Sequence, residues 1–118
     1  MFDPVDFHGL ASQLCSSGAD EASLRTSIGR SYFSVFLSAR EKLDTLGHYH
    51  PEGSGEDHPG VRNALATIGR RDLSNKLLGL SRRRGEADYD LNLSVSHSKA
   101  QKALQIANNL LPQISSLT

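Results

Sequence analysis

One stretch limits the fold more than any other part of the chain. Between Asp20 and Gly47, Leu24, Ile28, Tyr32, Val35, Phe36, Ala39, Leu43 and Leu46 recur at steps of three and four residues, which is the repeat of a helix with one apolar stripe. Strand-like alternation of useful length occurs nowhere in the chain. Asp20 stands where a carboxylate can accept the free amides of a first turn, and Gly47 stands where a helix can stop. Helical stability in water comes mainly from covering such a stripe, so the remaining segments must supply the cover.

Those segments also read as helices. Asp3 and Pro4 suit a helix start, and Phe7, Leu10, Ala11 and Leu14 follow on one face before Gly18. From His48 to Gly60 the composition turns to His, Pro, Gly, Glu, Asp and Ser, which predicts a mobile polar loop. Helix resumes near Pro59 with Val61, Leu65 and Ile68 inward, and Gly69 interrupts it. Asp72 is the expected cap of a continuation carrying Leu73, Leu77 and Leu80 toward Arg84, and Gly85 to Asn92 reads as a break. A last helix starts near Ser94 or Ser96 and presents Ala100, Ala103, Leu104, Ala107, Leu110, Leu111 and Ile114, with Pro112 expected to bend or loosen its end. A chain of 118 residues holds one core. The expectation is a single domain over residues 1–118, an all-α antiparallel bundle of four or five helices, with the long second helix and the last helix packed antiparallel at its centre.

Charge and composition narrow the function classes. Thirteen basic residues balance thirteen acidic ones, so no global field draws in nucleic acid, and any such contact needs a local patch. The single cysteine, Cys15, cannot form an intramolecular disulfide and fits a reducing compartment. Long apolar runs and a signal-peptide start are absent, which predicts a cytoplasmic protein without a membrane partner. Walker, dinucleotide and Gly-x-Ser-x-Gly patterns are also absent, and no cofactor is expected.

Two blocks carry a family resemblance. Arg30-Ser31-Tyr32-Phe33-Ser34-Val35-Phe36-Leu37-Ser38-Ala39-Arg40 resembles the long second helix of HEPN domains. Leu80-Ser81-Arg82-Arg83-Arg84-Gly85-Glu86-Ala87-Asp88-Tyr89-Asp90 is similar to the Arg and Ala-Asp-Tyr-Asp signature of one prokaryotic HEPN subgroup, and His58-Pro59-Gly60-Val61 lies between the blocks, where related sequences often carry a histidine. The resemblance implies a helical bundle, commonly a homodimer, in a family of metal-independent ribonucleases, toxins of toxin-antitoxin pairs, defence effectors and noncatalytic binders of RNA, nucleotides or partner proteins. A cognate antitoxin or an effector protein is a partner of the kind it implies. Family ribonucleases usually carry an arginine followed after four to six residues by a histidine. None of His8, His48, His50, His58 and His97 follows an arginine at that distance.

The candidate site is therefore built around Arg84, Arg83, Asp88 and Tyr89, with Arg82, Arg83, Arg84 and Arg30 as candidate RNA contacts. A guanidinium fork can grip phosphate oxygens and stabilise charge developing on phosphorus. Three consecutive helical residues point different ways, however, so at most one or two of Arg82, Arg83 and Arg84 can serve one site. The structural alternative is that they are solvated or neutralise a helix end. Asp88 and Asp90 are also candidates to cap a turn or pair with Arg30, and Tyr32 reads as a core aromatic. His48, His50, Asp57 and His58 have metal-ligating chemistry without metal-site spacing, and no metal is expected. His58 additionally titrates in the range that suits proton transfer.

Overall fold

A computed structural model describes residues 1–118. Five helices and no strands make up the chain: α1 Val5–Leu14, α2 Glu21–Thr45, α3 Asp57–Thr67, α4 Arg71–Tyr89 and α5 His97–Ser115. The all-α bundle predicted from the apolar periods is the observed architecture. None of its helices is long and apolar enough to cross a membrane.

Local signals set several boundaries. The Asp20 carboxylate accepts the Ser23 amide at 2.8 Å and caps α2, Ser96 Oγ accepts the Lys99 amide at 3.2 Å and caps α5, and Asp3 accepts the Val5 amide at 3.0 Å ahead of α1. Gly69 joins α3 to α4 with φ of 84°, a left-handed conformation that glycine adopts without a Cβ clash. Asp72 does not cap α4. Arg70 occupies that position, and the Asp72 carboxylate takes a two-pronged contact from the Arg70 guanidinium at 3.1 Å. The last helix runs through Pro112 to Ser115.

The second helix lies at the centre and packs against all four others. Its stripe from Leu24 to Leu43 is buried, and so are Ser27, Gly29, Ser31 and Ser34 on the flanks. These small side chains let neighbouring backbones come close: Ser27 Oγ donates to the Ala11 carbonyl of α1 at 2.7 Å. The main core is one cluster of 21 buried residues. Leu10, expected to face inward from α1, is 41% exposed, because α1 lies on the outside with only Ala11 fully covered.

The pairing of α2 with α5 reverses one expectation. Glu21, at the start of α2, accepts the Val95 amide just before α5, while His48, just past the end of α2, meets the Thr118 carbonyl beyond α5. The two helices therefore run parallel. Antiparallel contacts come instead from α4, whose Ala87 end lies at Arg25 of α2 and whose Arg70 end lies at Gln113 of α5. An apolar stripe has no direction of its own, and the connection through α3 and α4 brings α5 back to the starting end of α2.

Two segments read as breaks are more ordered than expected. Asp57 to Gly60 belong to α3, and the His48 to Glu56 turn is tied to Asp57, whose side chain is 1% exposed. Its carboxylate accepts the Tyr49 hydroxyl at 2.5 Å and the Glu52 and Gly53 amides at 2.8 and 3.0 Å, with Arg40 at 3.5 Å. Gly85 to Tyr89 continue α4. The helix outlasts its glycine because Arg25, from α2, donates to the Ala87, Asp90 and Leu93 carbonyls at and beyond the helix end.

Candidate functional site

Three helix faces converge on one side of the bundle. Helix α2 contributes Arg30, Tyr32, Phe33, Phe36 and Arg40 at spacings that put them on neighbouring turns. Helix α3 contributes Asp57, His58 and Arg62, and α4 contributes Arg84, Asp88 and Tyr89. The same i, i+4 geometry that builds each helix thus aligns 58 with 62 and 84 with 88.

The aromatic floor is continuous. The His58 ring stacks on Phe36 with centroids 4.1 Å apart and planes 7° from parallel, and Tyr32 and Phe33 complete the group at 5.7 and 6.1 Å from His58. Arg84 lies 5.2 Å from the Phe33 ring and 5.4 Å from the Tyr89 ring, and its Nε is 2.8 Å from Asp88 Oδ2. Arg30 approaches Phe33 at 5.0 Å and Phe7 at 4.7 Å. Each such cation–aromatic contact is worth about 0.5–1 kcal/mol at an exposed site, enough to orient a guanidinium while leaving its remaining donors free.

His58 is the group with acid–base potential. Its Nδ1 lies 2.5 Å from Tyr32 Oη, the one hydrogen bond its ring makes. Tyr32 is fully buried, and burial raises its pKa, so the phenol stays protonated at neutral pH. Burial lowers the pKa of His58, and repulsion from Arg84, Arg62 and Arg40 adds to this against the opposing pull of Asp57. The ring is thereby held neutral among three guanidiniums. In the tautomer with its proton on Nδ1, it donates to Tyr32 Oη and leaves a lone pair on Nε2.

Beside it, the Tyr49 and Asp57 pair has the opposite character. The hydrogen bond to Asp57, then burial, hold the Tyr49 phenol up at about 12. Asp57 is held below its ordinary value by the Tyr49 hydroxyl first, then by the Glu52 amide, with the Gly53 amide and Arg40 adding to the effect against burial. With its oxygens occupied in this way, Asp57 serves as the anchor of α3. Gly60 belongs to the same unit, since a Cβ there would stand 2.5 Å from Tyr49 Oη and 2.7 Å from the ring edge.

Of the residues singled out in the sequence, Arg84, Asp88, Tyr89 and Arg30 meet around Phe33. Arg83 turns to the other side of α4, toward Lys99 and Lys102 of α5, and Arg82 is exposed between them. Arg30 does not pair with Asp88 or Asp90, because Arg84 engages Asp88 and Arg25 holds the carbonyl of Asp90. Sequence reasoning did not assemble Tyr32 with His58, or Arg40 and Arg62 around them. The available signal was an α2 face richer in aromatics than core filling requires, opposite a histidine at the start of α3.

Comparison with known proteins gives one distant relative. An uncharacterized protein of Methanocaldococcus jannaschii is 29% identical over 122 residues, covering 87% of this chain and 69% of the relative. No family model matches the chain, and no solved structure matches it.

Proposed function

We propose that this chain is a HEPN-like protein that acts on RNA, cleaving it without a metal ion through His58 and Arg84. The observation that carries the reading is a neutral imidazole fixed by Tyr32 and faced by Arg84, Arg62 and Arg40. Phe33 and exposed Tyr89 flank the arginine and offer stacking surfaces to unpaired bases.

The chemistry follows from the groups present. Nε2 of His58 takes the proton of a ribose 2′-hydroxyl, the 2′-oxygen forms a bond to the adjacent phosphorus, and the bond to the 5′-oxygen breaks. Water returns a proton to that leaving oxygen. The products are a 2′,3′-cyclic phosphate and a 5′-hydroxyl. Arg84, assisted by Arg62, stabilises the charge accumulating on the phosphoryl oxygens. Asp88 holds Arg84 through its Nε and leaves the terminal nitrogens to the phosphate.

Two copies sharing this face belong to the same reading. Tyr89, beside Arg84, and Leu91, two residues further on, are 71% and 84% exposed, apolar surface that a twofold contact would cover while doubling the local positive charge. A toxin or defence effector held in check by a cognate protein is the biological role this chemistry suits.

The test is incubation of the purified protein with a mixed RNA pool in chelator, with Arg84→Ala and His58→Gln alongside. Chelator-resistant cleavage that ends in cyclic phosphate and is lost in both variants is expected. Intact RNA at high protein concentration overturns the nuclease and leaves a noncatalytic binding module, which a gel shift with oligouridylate then examines.

A further inference from the structure

A second cationic surface lies on the opposite side of α4. The antiparallel α4 and α5 enclose an open groove of about 390 Å³ bordered by Lys76, Arg83 and Lys102. Its floor is half-buried Ile106 and the bare backbone of Gly79, with Leu80 fully buried beneath them and Asn109 at one end. None of the three cations has an ion-pair partner, whereas Arg25, Arg40, Arg70 and Arg84 are each paired. Helix α5 contains no carboxylate along its whole length. In a chain whose charges sum to zero, the groove is lined by three cations and no carboxylate, and Glu86, beside Arg83 in the adjoining pocket, forms no ion pair with it.

The geometry points to this groove as a docking site for an acidic amphipathic helix of a partner protein. Lys76 and Arg83 share one face of α4 two turns apart, about 10 Å, and Lys102 faces them from α5. A partner helix with aliphatic side chains along one stripe and carboxylates beside it, one or two turns apart, matches both the floor and the rim. An aliphatic anchor covers Ile106 and the bare backbone of Gly79, and carboxylates meet the cations as the groove loses water. RNA fits less well, because no aromatic side chain lines the groove to stack on a base, in contrast to the Phe33 and Tyr89 face. The inference is independent of the proposed nuclease and stands if that reading fails.

The experiment uses the full chain labelled with ¹⁵N and a synthetic 20-residue peptide with leucines on one helical face and glutamates flanking them. Expected are saturable shifts of the Gly79, Leu80, Ile106 and Asn109 amides, weakened by added salt. Affinity should fall about tenfold or more in the Lys76→Glu, Arg83→Glu, Lys102→Glu triple variant, and should fall in the milder Lys76→Gln, Lys102→Gln variant, which keeps the groove's shape should the triple variant fold poorly. Equal shifts from a scrambled peptide of the same composition, no shifts at millimolar peptide, or stronger perturbation of these amides by oligouridylate would each overturn the proposal.

Discussion

Arg83 and Arg84 are neighbours in sequence and look alike there, yet they belong to two different surfaces. Arg84 lies between aromatic rings, pairs with Asp88 and faces a histidine held neutral. Arg83 borders an aliphatic groove among lysines and has no carboxylate partner. One residue step is about 100° of helix rotation, and that step separates a surface suited to unpaired bases and phosphate from one suited to an acidic helix. Basic runs in a helix therefore carry less information than the side chains three and four positions away and on the facing helices.

The sharpest way to break this contrast is the chemistry. His58→Gln should lower RNA cleavage by about 10²–10⁴-fold, the usual contribution of a general base, while Arg83→Ala should cost far less than Arg84→Ala. Equal loss from the two arginine variants in the same assay would erase the distinction between the surfaces.

Stability should separate them as well. Phe36 is 3% exposed and stacks on His58, so Phe36→Ala should destabilise the fold by about 3–5 kcal/mol. Ile106, half-buried at the groove floor, should cost clearly less when cut to alanine. Urea unfolding of both variants is the measurement, and a Phe36→Ala cost below about 1 kcal/mol would show that the aromatic face is not part of the core. Gly60→Ala should cost about 1–3 kcal/mol by forcing its Cβ into the Tyr49 ring; no change in the unfolding midpoint would mean that the Tyr49 anchor is loose.

The smallest effect is a pH dependence. The folded-state pKa of His58 is lowered, so the folded chain binds this proton less readily than the unfolded one. Its contribution to stability is fully present above the ordinary imidazole value of about 6.5 and is lost as pH falls through the folded value. Wild-type protein should lose more stability between pH 7.5 and pH 5 than His58→Gln does. Identical slopes would show that the ring is freely solvated.

Much of the fold was legible because helix signals are local. Asp20 and Ser96 cap the helices that their positions suggested, and the stripe from Leu24 to Leu43 is buried as its spacing requires. What escaped depends on distant partners. Ser27, Ser31 and Ser34 look like a solvated face until α2 is surrounded, and they are completely buried. Asp57 reads as one more loop acid until Tyr49, the turn amides and Arg40 converge on it. At the candidate site, Arg84, Asp88 and Tyr89 form one group because α4 continues through Gly85, where glycine and the acidic residues had suggested a break. Tyr32 and His58, 26 positions apart, were individually visible, but their juxtaposition is tertiary.

The guanidinium of Arg25 bears on the order of events during folding. It closes the end of α4 by taking carbonyls 62 to 68 positions along the chain, so the closure entropy of that long loop must be met before the last turn of α4 is secured. Asp88 and Tyr89 occupy that turn. The segment that orients Arg84 is consequently among the last to become protected from amide exchange as the chain folds, and among the first to open when the start of α2 works loose.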